Sequence, residues 1–284
     1  MIKEIAEDLP RKIEEETPIG HPREIYEAAR FLLGRGKLLR GNLAMFINGV
    51  YGFYKKEKAL RLATAIELLH TASLIHDDII DRGKIRRSVK TVHEKFGLNI
   101  AIISADLLAS IAYRICADMG KQIIEMVSDS IRRMSEAEVS ENIIDNPNLD
   151  DYFKIIEGKS SVLFSTVCAC SAIISNAGQE DILAFKKYGE LVGKVLQIRD
   201  DVLDYVGNEV VTGKSNPLIY GLKKTNIVVI LMNEKNLTLD EAIISATELG
   251  KELADKASRE VTFLEPDKRN IFEEFVKFVL NRKF

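Results

Sequence analysis

The chain has 284 residues, 46% apolar and 29% charged, which supports a sizeable core and excludes a disordered protein. Its 40 basic and 43 acidic residues leave a net charge of −3, too balanced for nucleic-acid binding by bulk electrostatics. Cys116, Cys168 and Cys170 are an odd, sparse set without metal-ligand spacing, which excludes a disulfide scaffold and a zinc module and fits a reducing cytoplasm.

In chain order, Met1 to Glu16 is charged throughout and lacks the apolar stretch of an export signal. Pro10, Pro18 and Pro22 follow closely, after which no proline interrupts the chain until Pro147, then Pro217 and Pro266. Between them, apolar residues recur every three or four positions. Leu60, Ala63, Ile66, Leu69 and Leu74 trace one such face, and Ile123, Met126, Val127, Ile131 and Met134 another.

The spacing predicts helices over 23–33, 38–52, 57–80, 98–118, 121–142, 149–176, 180–206, 222–234, 239–260 and 267–281. Linkers fall at 146–148, at 176–178 and over 206–217. Ser160–Gln179 carries no charge for 20 residues, about the length of a membrane span. Five serines, Thr166 and Asn176 suit it better to a buried helix, so the chain is not expected to be an integral membrane protein. No alternating run bounded by Asn-Gly or Asp-Gly supports a sheet. The expectation is one all-α domain over 1–284.

Two segments carry chemistry. Leu69-His70-Thr71-Ala72-Ser73-Leu74-Ile75-His76-Asp77-Asp78-Ile79-Ile80-Asp81 and Gln197-Ile198-Arg199-Asp200-Asp201-Val202-Leu203-Asp204 each place Asp-Asp-x-x-Asp at the end of an apolar helical run. On a helix, positions one and five share a face, so Asp77 with Asp81 and Asp200 with Asp204 form carboxylate pairs. Like charges at that spacing repel, and a cation must offset the repulsion. Paired hard oxygen donors suit Mg²⁺ completed by water and phosphate oxygens. A solvated helix end explains one such run; two copies in apolar surroundings point to a cavity lined by carboxylates. Cations accompany them: Lys37 and Arg40, Arg86 and Arg87, Lys159 beside Ser160, Lys214, and Lys223 with Lys224. Acids and cations together describe a site for two phosphorylated groups, one metal-bridged and one held by Lys and Arg.

From Gly36 to about Thr225 this order resembles the trans-isoprenyl diphosphate synthases. That family carries Gly-Lys-Arg-x-Arg-Pro, Glu-x-x-His, a first Asp-rich motif, Arg-Arg, Lys-Thr, Gln-x-x-Asp-Asp-x-x-Asp and two late lysines. The resemblance implies a helical bundle around a central cavity and head-to-tail condensation of isopentenyl diphosphate with an allylic diphosphate through an ionised allylic carbocation. It assigns Asp77, Asp81 and Asp200 to Mg²⁺, three ions per site, with Asp78, Asp201 and Asp204 in support. Arg86, Lys159, Ser160, Gln197, Lys214 and Lys223 would contact the allylic substrate, and Lys37, Arg40, His70 and Arg87 isopentenyl diphosphate. Lys159 and Gln197 would also steady the cation, and a homodimer is implied. Three places depart from the pattern: Leu38 and Gly41 stand for an Arg and the Pro, Ser160 for a Thr, and 214–221 lacks the usual Gly-x-Asp.

In that family residues four and five before the first Asp floor the tunnel for the growing tail. Here they are Ser73 and Ala72, both small, with Leu69 a turn deeper, which implies a product of twenty carbons or more. Two other readings stay open: a class I terpene cyclase, against which Lys37, Arg40, His70 and Arg87 argue, and a regulatory subunit of a heteromeric synthase, which the missing late Asp would suit.

Overall fold

Apolar spacing of three and four residues becomes helix along almost the whole chain. The computed structural model describes residues 2–206 and 225–283, with side chains from residue 7 onward. Lys214, Lys223, Lys224, the rest of 214–221 and the predicted start of a helix at 222 lie outside the described residues. The chain gathers into two compact units, one of residues 1–128 with 170–177, the other of 129–169 with 178–284.

In the first unit, helix α4 (Lys56–Ile80) packs against α1 (Ile2–Glu16), α3 (Leu39–Val50) and α6 (Leu98–Ala117), while α2 (Arg23–Arg30) and the short α5 (Val92–Phe96) cover α6. Ala59, Leu62, Ala63, Ala65, Ile66 and Leu68 of α4 are wholly buried, so small residues let its neighbours approach from several sides. Helix α1 was not anticipated. The charges of this segment mask Leu9 and Ile13, four residues apart and buried, while Arg11 pairs with Glu15 at 2.7 Å on the outer face.

The expectation of no sheet is corrected by a small hairpin, β1 (Ile85–Arg86) antiparallel to β2 (Val89–Lys90). Its turn residues, Arg87 and Ser88, sit at φ of 50° and 62°, a conformation usually given to Asn or Gly, so the usual turn signal is missing. Among the described residues, α6 alone is long and apolar enough to cross a membrane; one of its faces is buried, with Ala101, Ala105, Leu108 and Ala112 at 0% exposure.

In the second unit, α10 (Gln179–Val206) packs against α8 (Leu149–Ile156), α11 (Ile227–Lys235), α12 (Leu239–Glu260) and α13 (Pro266–Asn281). Capping boxes start two of these helices, Asn148 with Asp151 for α8 and Thr238 with Glu241 for α12. Tyr188 of α10 donates to the carbonyl of Phe272 at 2.7 Å inside an aromatic cluster with Phe185. Helix α7 (Lys121–Ile143) and helix α9 (Val162–Ile174) contribute residues to both units.

The single helix predicted over 149–176 is instead α8, a π-helical turn at Glu157–Ser161, and α9. Close backbone packing accounts for the break. A Cβ on Gly193 would lie 2.4 Å from Ser161 Cα, one on Gly189 2.5 Å from the Phe164 carbonyl oxygen, and one on Gly158 2.6 Å from Ala137 Cβ. Gly158 and Gly193 thus press the wide turn between α7 and α10, a placement typical of functional π-bulges, and Gly189 brings α10 close to α9 just beyond it. The uncharged stretch that follows is buried in protein as expected, and its serines find partners: Ser165 donates to Lys186 O at 3.0 Å and Ser171 to Ala44 O at 2.6 Å.

Candidate active site

The end of α4 shows what an Asp-Asp-x-x-Asp sequence does on a helix. Asp77 is half-buried and Asp81 exposed, but Asp78, one position round, is buried and accepts a hydrogen bond from Arg86 Nε at 2.7 Å. Burial pushes the Asp78 carboxyl upward, and Arg86 opposes that shift. Hairpin residue Arg86 is therefore turned onto the Asp motif. Its neighbour Arg87, at the strained turn, leans on the loop before α3, where a Cβ on Gly36 would fall 2.7 Å from the guanidinium nitrogens.

A cationic group forms behind this loop. Arg40 of α3 is buried, Lys37 just before it is exposed, and His70 of α4 feels the charge of Arg40, Arg87 and Arg86. Burial first, and those three guanidiniums second, hold the His70 imidazole well below its usual pKa of 6.5, so it is neutral at physiological pH. Glu67, one turn before His70 and 4% exposed, accepts from the backbone N–H of Gly41 at 2.8 Å. Four residues of the sequence pattern, Arg40, Glu67, His70 and Arg87, are thus brought together within this unit.

A depressed histidine couples folding to pH. The unfolded chain takes up a proton below about pH 6.5 that the folded state refuses, so this contribution is present above that pH and lost as pH falls. Wild-type protein is expected to lose stability relative to His70→Gln between about pH 6.5 and 5. Urea unfolding of both proteins across that range measures it; a gap independent of pH removes the assignment.

The second unit repeats the arrangement. Asp200 and Asp204 of α10 are half-buried, while Asp201 is buried at 6% exposure. Three protein donors fill the Asp201 carboxylate: Tyr152 OH at 2.9 Å and Ile227 N at 3.0 Å on Oδ2, and Gln197 Nε2 at 2.9 Å on Oδ1. Burial raises its pKa to about 7 against these bonds. Gln197 in turn accepts from Ser160 Oγ at 2.6 Å, so both ends of its amide are committed. Asp200 pairs with Arg282, whose carbonyl accepts from Arg199 Nε at 2.8 Å. Lys159, on the π turn, reaches Glu138 at 2.6 Å and Glu141 at 2.5 Å on α7, and Thr225 also donates to Glu141 at 2.7 Å.

Sequence reasoning gave Glu67 no role, although the Glu-x-x-His of the pattern falls on it, and missed Glu138, Glu141 and Tyr152. Glu138 and Glu141 had a readable signal in their i, i+3 spacing, but on a helix read only for its apolar face. Among the described residues no three His, Cys, Asp or Glu side chains form a metal cage. The less buried first and last carboxylates of each motif still suit Mg²⁺, which takes one or two carboxylates and completes its shell with water and phosphate.

Residues 22–261 match the family described as polyprenyl synthetase. The chain belongs to that family, the trans-isoprenyl diphosphate synthases. It is 31% identical over 264 residues to the geranylgeranyl diphosphate synthase of Methanosarcina mazei, covering 87% of this chain and 81% of the relative. The corresponding enzyme of Sulfolobus acidocaldarius is 30% identical, covering 84% and 75%. Among solved structures, the geranylgeranyl pyrophosphate synthetase of Geoglobus acetivorans superposes with a TM-score of 0.86 at 26% identity over 99% of both chains. As a polyprenyl synthetase the protein is an all-α prenyltransferase, and the family is Mg²⁺-dependent.

For this polyprenyl synthetase the structure accounts for one departure from the pattern. A Cβ on Gly41 would fall 2.5 Å from Leu9 Cδ2 and 3.2 Å from Glu67 Cγ, so α1 and Glu67 occupy the space a Pro ring would need. Ser160 keeps the hydroxyl that a Thr would supply and uses it on Gln197.

Proposed function

We propose that this protein, working as one domain, condenses isopentenyl diphosphate head-to-tail with an allylic diphosphate to give a chain of twenty carbons or more. The observation that carries the reading is the repeated geometry of the two motifs. In each, the first and last aspartates are half-buried or exposed while the middle one is buried and held by named donors.

Asp77 and Asp81 with Asp200 and Asp204 would hold Mg²⁺, three ions in all, on one allylic diphosphate. Bound there, Mg²⁺ neutralises the departing diphosphate and favours ionisation of the allylic C–O bond. Lys159, and by the sequence pattern Arg86, Lys214 and Lys223, add positive charge to the leaving group. The Gln197 and Ser160 dipoles, fixed by Asp201, steady the allylic cation, so Asp78 and Asp201 serve as anchors. Lys37, Arg40, His70 and Arg87 bind isopentenyl diphosphate, whose double bond attacks the cation before a proton leaves to the released diphosphate. Apolar walls such as Leu69, Ala72 and Ile75 keep water from the cation.

A homodimer fits the exposed face of α6, where Leu98, Ile102 and Ile103 are 40–54% exposed on a helix whose other face is buried. Three buried free thiols fit a cytoplasmic location.

The test is turnover of purified protein with labelled isopentenyl diphosphate and a series of allylic primers. Incorporation that requires Mg²⁺ and vanishes with chelator is the expected result. Cyclised hydrocarbon without isopentenyl incorporation would replace this reading with a terpene cyclase.

A further inference from the structure

Helix α3 begins without a cap of its own. Leu38 at its N-cap position has no side chain that accepts a hydrogen bond and sits at φ of 48°, in the left-handed region. The Leu38 side chain therefore offers no acceptor to the backbone N–H groups of the first turn, Leu39-Arg40-Gly41. Glu67 reaches across from α4 and takes the Gly41 N–H at 2.8 Å, 26 residues away in sequence.

We infer that Glu67 is a positioning residue for isopentenyl diphosphate: a buried carboxylate from α4 that fixes the start of α3, and with it Arg40 and Lys37. Burial raises the Glu67 carboxyl's pKa, and the Gly41 N–H with the nearby charges of Arg40 and Arg87 opposes that shift, so the acceptor sits beside Arg40, whose helix it caps, and beside Arg87. Gly41 makes the contact possible twice over, by offering an N–H that Pro lacks and by leaving room for Glu67 Cγ at 3.2 Å. The position where the chain departs from the family pattern is thus tied to a second residue on another helix. Leu38, neutral where the pattern has Arg, leaves this pocket with fewer cations, so the placing of those that remain counts for more.

The inference rests on the prenyltransferase reading, and steady-state kinetics with each substrate varied in turn tests it. Glu67→Leu is expected to raise the KM for isopentenyl diphosphate about tenfold or more, with the KM for the allylic primer within about twofold of wild type. Glu67→Gln keeps an acceptor of the same reach and is expected to recover most of the loss. Glu67→Asp, a milder change to a buried site, keeps the charge but withdraws it by one methylene. It is expected to raise the same KM, which covers the case in which the leucine variant does not fold. Two KM values rising together, an isopentenyl KM that stays put in Glu67→Asp, or no recovery with Gln overturns the inference. Wild-type protein that turns over while the variants match it defeats only the role of Glu67. Wild-type protein without turnover defeats the prenyltransferase reading as well.

Discussion

Replacing Asp77 or Asp200 with Ala is expected to lower kcat/KM about a thousandfold while leaving the fold intact. On the proposed reading each substitution would remove a donor to Mg²⁺, which would offset charge that develops on the departing diphosphate in the transition state. Asp77→Ala costs little stability, and Asp200→Ala gives up one partly exposed ion pair with Arg282. Asp77 and Asp81 are like charges one turn apart, Ala is the better helix former, and the buried anchors Asp78 and Asp201 remain in place. The melting temperature should therefore hold within a few degrees while activity collapses. The double variant sharpens the result. If both carboxylates serve one diphosphate, losing the second after the first adds far less than another thousandfold, the non-additivity of groups that act as a unit. Initial rates of the two single variants and the double variant, alongside thermal melts, measure this. Wild-type turnover in either single variant sinks the proposed site.

What could be read from the sequence, and what could not, divides along locality. The apolar faces of α4 and α10 are local periodicities, and the pairing of Asp77 with Asp81 and of Asp200 with Asp204 follows from helix geometry alone. The sequence pattern places Asp78 and Asp201 in support of the metal, and their burial against protein donors is not readable from the motif itself. Tyr152 and the Ile227 N–H meet Asp201 from 49 and 26 residues away, and no spacing rule reaches that far. The π turn at Glu157–Ser161 was invisible for a similar reason. What widens it is the close approach of Gly158 to α7 and of Gly193 to Ser161, a packing event between helices. The hairpin was missed because Arg87-Ser88 takes a left-handed turn without Asn or Gly, a local strain sustained by surrounding contacts. Helix α1 was hidden by its own surface, with enough charge to obscure the two buried residues that tie it down.

Ala72→Phe is expected to shorten the product from twenty carbons or more to predominantly fifteen. Ala72 lies five residues before Asp77 on α4 and Ser73 four, so at a rise of about 1.5 Å per residue they stand about 7.5 and 6 Å below the carboxylate that would hold the diphosphate. Leu69, about 12 Å below, is the bulky α4 side chain one turn deeper than Ala72 and Ser73, and it is 2% exposed. A tail growing along this helix meets small residues for its first turn and a half, and a phenyl ring at Ala72 places a floor where none stands. Because Ala72 is already 5% exposed, the ring must enter either the tail's path or the packed neighbours. Overpacking costs about 1–3 kcal/mol, and entry into an open tunnel costs little. Stability and product length thus report on the same choice. Chromatography of the dephosphorylated prenyl alcohols, together with a thermal melt of the variant, separates the two. Shorter alcohols with an unchanged melting temperature put the floor beside Ala72. A lowered melting temperature with an unchanged product places the floor on another element, for which Phe46 of α3 and Tyr113 of α6 are the aromatic candidates in the same unit.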